Sequence, residues 1–170
     1  MKKSILLFVL ILSAVMASAQ ETVAFKYGRI SYNKVLKQMP EYLAIDGEMA
    51  KLKAKYDAET KTSEDEFNAK YETFLSEQRS YAPSILRKRQ SELEDMMRRN
   101  EQFRIDSQRL LQQAREDMEN SAKEKLNDAI NKIATDNGLA FVLNTDGEGV
   151  PFVNPAMSYD ITEAVASMLQ

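Results

Sequence analysis

The side chains that most often carry out chemistry in proteins are absent from this sequence, which contains no histidine and no cysteine. Their absence removes the commonest transition-metal ligands and the usual nucleophile–base pairs of covalent catalysis. Aspartate and glutamate remain, and carboxylates alone can form an active site, but no pocket-forming framework is visible around them. We therefore expect no catalytic residue, no metal site and no cofactor, and we interpret the chain as a non-enzyme.

Basic side chains cluster near the middle of the chain. Such a patch can meet anionic membrane headgroups or acidic polypeptide segments, or it can simply balance an acidic neighbouring helix. The six residues of this basic patch are Arg79, Arg87, Lys88, Arg89, Arg98 and Arg99.

The first 19 residues have the pattern of a secretory signal peptide. Lys2 and Lys3 precede a mostly apolar run at 5–17, and Ala17-Ser18-Ala19 supplies small residues for cleavage. Without Lys2 and Lys3, the 23 basic residues fall to 21 against 26 acidic ones, a net charge of −5. We expect an exported protein that has no disulfide and no nucleic-acid partner.

Two long segments carry an apolar repeat that is typical of a coiled coil. From residue 42, and again from residue 84, apolar side chains recur in steps of three and four residues. Residues 84–137 contain neither glycine nor proline, and residues 41–81 contain a single glycine. Pro83 is therefore the one strong helix breaker between the two segments.

Pro83 permits two interpretations. A single kinked helix of roughly 95 residues would be about 140 Å long. Alternatively, the chain reverses at Pro83, because the residue before a proline is pushed away from helical geometry. Residues 32–81 and 84–136 would then form arms of 50 and 53 residues. This match in length favours a coiled-coil hairpin over residues 41–137, with its tip near 82–84.

The hairpin predicts a register in which residue i lies opposite residue 165 − i. The segment 57–66, which has no large apolar side chain, then faces 99–108. Phe103 and Ile105 would lack a full partner there. The outgoing arm is acidic and the returning arm is basic, so we expect a weak attraction between them.

Both chain ends contain short strand patterns. Residues 23–30 alternate apolar and polar side chains, whereas 139–144 and 150–154 are compact apolar runs separated by turn residues. Asp160, with Glu163 three residues later, predicts the start of a short last helix.

We assign residues 20–40 and 138–170 to one small β-rich body. About 50 residues with three strands form a marginal core on their own, so we expect several copies to share one core. The residues expected in this oligomerisation body are Val23, Phe25, Tyr27, Phe141, Leu143 and Phe152.

The order of these elements resembles the Skp (OmpH-like) family of periplasmic chaperones. The local features that carry the resemblance are GRISYNKVLKQMPEY (28–42), GLAFVLNTDGEGVPFVNP (138–155) and YDITEAV (159–165). The first is similar to the family's strand-to-helix entry, and the other two are similar to its C-terminal strands and closing helix. The resemblance covers the whole chain after the signal peptide.

The resemblance implies an ATP-independent holdase in the periplasm of a Gram-negative cell. It also implies a homotrimer whose hairpins surround a cavity that holds unfolded outer-membrane β-barrel proteins. The best-known members are strongly basic, whereas this chain is acidic, so whole-molecule electrostatic capture and lipopolysaccharide binding are not expected to carry over. An exported coiled-coil scaffold of the cell envelope is the alternative.

A holdase needs apolar side chains dispersed over its surface. The candidate client-binding residues lie in the outer part of the hairpin, and each of them can instead belong to the seam between the two helices. They are Phe103, Ile105, Met96, Met97, Phe67 and Phe74.

Overall fold

The computed structural model describes residues 25–170. The proposed signal peptide and Val23 lie outside this range. Along the chain the elements are strand β1 (Tyr27–Ile30), helices α1 (Tyr32–Leu36), α2 (Pro40–Glu77) and α3 (Pro83–Asp136), strands β2 (Val142–Asn144) and β3 (Ser158–Asp160), and helix α4 (Thr162–Met168). The predicted fold class, mostly α with a small β body and a long antiparallel helical hairpin, is confirmed.

The hairpin consists of α2, with 38 residues, and α3, with 54 residues. Each helix begins with a proline whose predecessor is extended, Met39 at ψ 128° and Ala82 at ψ 149°. Proline favours the first position of a helix because it lacks the N–H that would remain unbonded there. The chain reverses between Glu77 and Pro83, and Gly138 at φ +62° ends the return helix.

Three side-chain contacts fix how the two arms face each other. Arg115 Nη2 lies 2.7 Å from Asp46 Oδ1, Lys125 pairs with Glu41, and the Asn100 Nδ2 donates to the Ser63 carbonyl at 3.1 Å. The paired residue numbers add to 161, 166 and 163, close to the predicted 165. The predicted position of the reversal therefore gives the register to within about one helical turn.

The body contains a three-stranded parallel sheet in the order β2-β1-β3. The predicted strand at 150–154 is wrong, because this segment lies outside the sheet and β3 forms at Ser158–Asp160 instead. A compact apolar run next to turn residues favoured 150–154, but strand formation requires a backbone partner. In the sheet, Arg29 of β1 is in register with Asp160 of β3, which lies far along the chain.

The core lies where the sheet, α1, the base of α3 and α4 meet. Gly28 and Ile30 of β1 turn towards these helices, and Ile30 is buried. The largest fully buried side chains of the described chain all lie in this region: Met39, Leu126, Ile161, Val35 and Val165. The body therefore joins both chain ends to the root of the hairpin.

Replacing either of two glycines by alanine should change the stability of the fold, in opposite directions. A Cβ at Gly47, inside α2, would meet no atom within 4 Å, so Gly47→Ala should stabilise the fold by about 0.5–1 kcal/mol. A Cβ at Gly28 would lie 2.9 Å from Leu139 Cδ1 and 3.1 Å from Val142 Cγ2, so Gly28→Ala should destabilise it. Urea unfolding followed by circular dichroism measures both changes, and a loss of stability in Gly47→Ala would contradict the first.

Candidate functional site

Four of the six candidate binding residues take part in packing within the hairpin. Met96 is buried, Phe67 stacks on Tyr71 with ring centroids 5.9 Å apart, and Phe74 lies 6.5 Å from Tyr81. Phe103 is half-buried and packs against Tyr56 across the hairpin, with centroids 6.1 Å apart. The expectation that Phe103 lacks a partner is therefore wrong, because Tyr56, just before the polar segment 57–66, reaches it.

The other two candidates are exposed. Met97 is 60 % exposed and Ile105 is 50 % exposed. Their exposure differs from that of residues close by in the chain. Met96, next to Met97, is buried, and Phe103, near Ile105, is half-buried. Five further large apolar side chains of the hairpin are exposed and were not among the candidates: Leu43, Tyr71, Leu75, Ile85 and Leu110.

A groove of about 340 Å³ opens between the helices near the tip. Its apolar wall is formed by Phe74 and Leu93, and Arg89 and Glu92 contribute charged groups. A hydrogen bond with Glu77, burial and the negative charge of Glu77 raise the pKa of Tyr81, which lies at the same groove. This end of the hairpin therefore presents apolar and charged groups side by side.

The basic patch divides into two sets. Arg89 pairs with Glu92 at 2.7 Å, Lys88 reaches the same carboxylate at 3.8 Å, and Arg98 pairs with Asp95. The other three arginines form no ion pair with any described residue: Arg79, Arg87 and Arg99. Half of the patch thus keeps its charge available at the surface.

The predicted attraction between an acidic outgoing arm and a basic returning arm is limited to two ion pairs. Among the described residues, Arg115–Asp46 and Lys125–Glu41 join the two arms, and both lie near the base. The remaining pairs of the hairpin link residues three or four positions apart on one helix. Side chains at this spacing meet on one helix face, so the carboxylates near the basic patch pair with basic residues of their own helix.

One face of the sheet carries aromatic side chains away from the core. Phe141 stacks on Tyr27 at 5.6 Å and lies 5.5 Å from Phe25, and Leu143 is in register with Arg29. Phe25 and Phe141 are exposed, and Phe152, in the segment after β2, is 79 % exposed. Parallel sheets are normally covered on both faces, whereas the described chain covers one.

Arg29 crosses this aromatic face to Asp160, with Nη2 and Oδ2 3.0 Å apart. Burial acts to raise the pKa of Asp160, but hydrogen bonds from Thr162 and the charges of Arg29 and Lys34 outweigh it and lower the pKa. The Arg29 Nε is buried and has no hydrogen-bond partner among the described residues. A buried donor without an acceptor is unfavourable.

Asp146 is a structural residue that sequence reasoning missed. Its carboxylate accepts hydrogen bonds from the Ser31 Oγ, at 2.6 Å, and from the Asn33 N–H. Asp146 therefore caps α1, and it ties the segment after β2 to the residues that lead into the hairpin. Sequence reasoning missed this contact because Ser31 and Asp146 are 115 residues apart in the chain.

In residues 25–170, no helix combines the length and the apolar character needed to span a membrane. The same residues contain no cluster of three acidic side chains arranged to hold a metal ion.

The comparisons with known proteins agree with this architecture. Residues 26–169 match the family model described as outer membrane protein (OmpH-like). No curated protein matches the sequence. A crystal structure of a protein assigned as an outer membrane chaperone (OmpH-like) from Caulobacter crescentus CB15 superposes with a TM-score of 0.67 at 17 % identity, covering 85 % of this chain and 83 % of that one. Since the family model spans nearly the whole described structure, the chain belongs to the OmpH-like (Skp) family.

Proposed function

We propose that this protein is an ATP-independent holdase chaperone of the periplasm, which binds unfolded outer-membrane β-barrel proteins between its helical hairpins. Membership of the OmpH-like family supports a chaperone role. The similar Caulobacter protein is itself named as an outer membrane chaperone. Export by a cleaved signal peptide belongs to the same proposal.

The observation that carries the proposal is the dispersal of exposed apolar side chains along the hairpin. Met97, Ile105, Leu75 and Ile85 are each about half exposed or more, and charged residues separate them. Isolated apolar contacts of this kind bind many sequences weakly without forming one continuous patch that would make the carrier aggregate. A scaffold that binds one partner would instead present a single defined patch.

Assembly into a homo-oligomer, with three copies as the proposed number, completes the site. The aromatic side chains Phe25, Tyr27, Phe141 and Phe152 supply an apolar surface at the body. Covering this surface with sister subunits would bring the hairpins to one side of a shared core. The hairpins would then enclose a cavity that no single copy can form.

The arginines without ion pairs add a second kind of contact. Arg79 and Arg87 flank the tip, where Leu75 and Ile85 are exposed. Cations beside apolar side chains suit acidic stretches of an unfolded chain, and they also suit the anionic headgroups of a membrane. Peripheral contact with lipid is therefore a second, weaker part of the proposal.

The proposal is tested by diluting a urea-unfolded β-barrel membrane protein into buffer that contains the mature chain and no nucleotide. The holdase should keep this client soluble, and light scattering should stay low. Scattering that rises as fast as in buffer alone would reject the holdase and leave the envelope scaffold as the better interpretation. A folded soluble protein serves as the control for unspecific adhesion.

Ile105 and Phe103 separate client binding from hairpin stability. Ile105→Asp removes about half of an isoleucine's apolar contact with a client, worth about 1 kcal/mol, so client affinity should fall about fivefold while helicity is unchanged. Phe103→Asp removes the contact with Tyr56 and should instead destabilise the hairpin by about 2–4 kcal/mol. Client titration and urea unfolding of both variants measure the two effects. Equal loss of stability in both variants would contradict this separation.

A further inference from the structure

Helix α3 carries two adjacent methionines that lie in opposite environments. Met96 is 8 % exposed and packs within the hairpin, whereas Met97 is 60 % exposed. Both side chains belong to the same helix and meet the same solvent, so the packing of the hairpin accounts for the difference between them. Met97 also lies about 12 Å along α3 from Ile105, another exposed apolar residue.

Sulfur occurs in this chain only as the thioether of methionine, since the sequence contains nine methionines and no cysteine. A peroxide or another two-electron oxidant therefore has no thiol to react with first. Oxidation converts a thioether into a sulfoxide, and a thioether enclosed by packing reacts only after it has been uncovered. Exposure to solvent therefore decides which methionines of this chain react.

The reaction transfers one oxygen atom to sulfur. A lone pair of the thioether sulfur attacks one oxygen of hydrogen peroxide, so that an S–O bond forms while the O–O bond breaks. The departing hydroxide takes the proton from the oxygen that is now bound to sulfur and leaves as water. Sulfur loses two electrons and the peroxide gains them, so no other reactant is required.

We propose that Met97 is an oxidation site on the hairpin and that its neighbour Met96 is protected from the same reaction. Oxidation replaces a flexible apolar side chain by a polar one. Because Met97 is mostly exposed, the hairpin stays folded and only its surface changes. The consequence is weaker binding of unfolded clients, and this part of the inference rests on the proposed function.

Oxidation of Met96 would have a different effect. A sulfoxide at this buried position would place a polar group in the apolar packing between the helices, which is unfavourable. The hairpin would also have to open before an oxidant could reach the sulfur. The two methionines therefore separate a change of the surface from damage to the fold.

Two further methionines are exposed, but they lie outside the hairpin. Met157 directly precedes β3, and Met168 is the last residue of α4. We expect their oxidation to leave client binding by the hairpin unchanged. Replacing both by leucine leaves Met97 as the one mostly exposed methionine of residues 25–170.

Mass spectrometry of the full mature protein after brief exposure to hydrogen peroxide tests the site. Cleavage after Arg89 and Arg98 yields one peptide, 90–98, that carries both methionines and no other. Its fragment ions distinguish the two sulfoxides. Met97 should oxidise about tenfold faster than Met96, or more, in the folded protein, and at the same rate in concentrated urea. Equal rates in the folded protein would overturn the proposal.

Client binding provides the second readout. Catalase removes the peroxide before an unfolded β-barrel membrane protein is added, and each variant is compared with its own untreated sample. Oxidation should lower the client affinity of the native chain about fivefold, and that of the Met157→Leu/Met168→Leu variant equally. Oxidation of Met97→Leu should not change its affinity, and a fivefold loss there would show that another residue is responsible.

Reduction of the oxidised protein distinguishes a reversible modification from damage. Methionine sulfoxide reductases for both sulfoxide epimers, supplied with dithiothreitol, remove the oxygen as water while the dithiol becomes a disulfide. Client affinity should return to its untreated value, and a permanent loss would contradict the proposal. If the native chain binds no unfolded protein, the holdase proposal fails, whereas the peptide measurement still decides whether Met97 is selectively oxidised.

Discussion

Phe141→Asp is expected to dissociate the proposed oligomer. Phe141 lies at the centre of the aromatic face between Phe25 and Tyr27. A carboxylate buried there between subunits costs about 3 kcal/mol or more, which weakens association about a hundredfold. Light scattering and analytical ultracentrifugation across a dilution series measure the subunit count and the shift.

The control for Phe141→Asp is Leu75→Asp. Leu75 is similarly exposed but lies on the outer part of α2, so its replacement should leave the oligomer intact. Phe141→Asp should retain its helicity, because the Phe141 side chain is already 43 % exposed in the single chain. An oligomer of unchanged mass and affinity would show that this face is not the interface.

Leu126→Ala is expected to give the largest loss of stability. Leu126 is completely buried on α3, where it belongs to the core that also contains Val35, Ile161 and Val165. Removing a buried leucine side chain leaves a cavity that costs about 2–5 kcal/mol. For a chain of this size the cost should lower Tm by roughly 5–15 °C.

Leu110→Ala is the matched control for Leu126→Ala, since it makes the same change on the same helix at a side chain that is partly exposed. We expect it to cost less than about 1 kcal/mol. Both variants should be compared at one protein concentration, because assembly adds to apparent stability. Similar losses of stability in the two variants would show that the main core does not lie around Leu126.

The large features of the fold could be predicted because they depend on local chemistry. Pro83 sets the reversal by excluding a helical Ala82, and residues 84–137 lack any other helix breaker. The position of the reversal then predicts the register, which Asp46–Arg115 and Ser63–Asn100 confirm within a turn. These signals all lie close together in sequence.

The errors concern contacts between distant residues. The strand at 150–154 was predicted from a compact apolar run beside turn residues, whereas β3 forms where Asp160 can pair with Arg29. Tyr56 packs against Phe103, and Asp146 caps α1. No local sequence pattern predicts either contact. Whether Ile105, Met97 and the arginines contact a client depends on chains outside this structure, so their role remains a prediction.

The strand order of the sheet also dictates when this molecule can finish folding. β1, the first strand made, sits between β2 and β3, which emerge more than 110 residues later. The hairpin can fold on a nascent chain because its contacts are between nearby residues. The middle strand β1, by contrast, can pair only after β2 and β3 have been synthesised. A chain that ends before residue 158 would therefore carry a folded hairpin on an incomplete sheet, and we expect the proposed oligomer to exclude it.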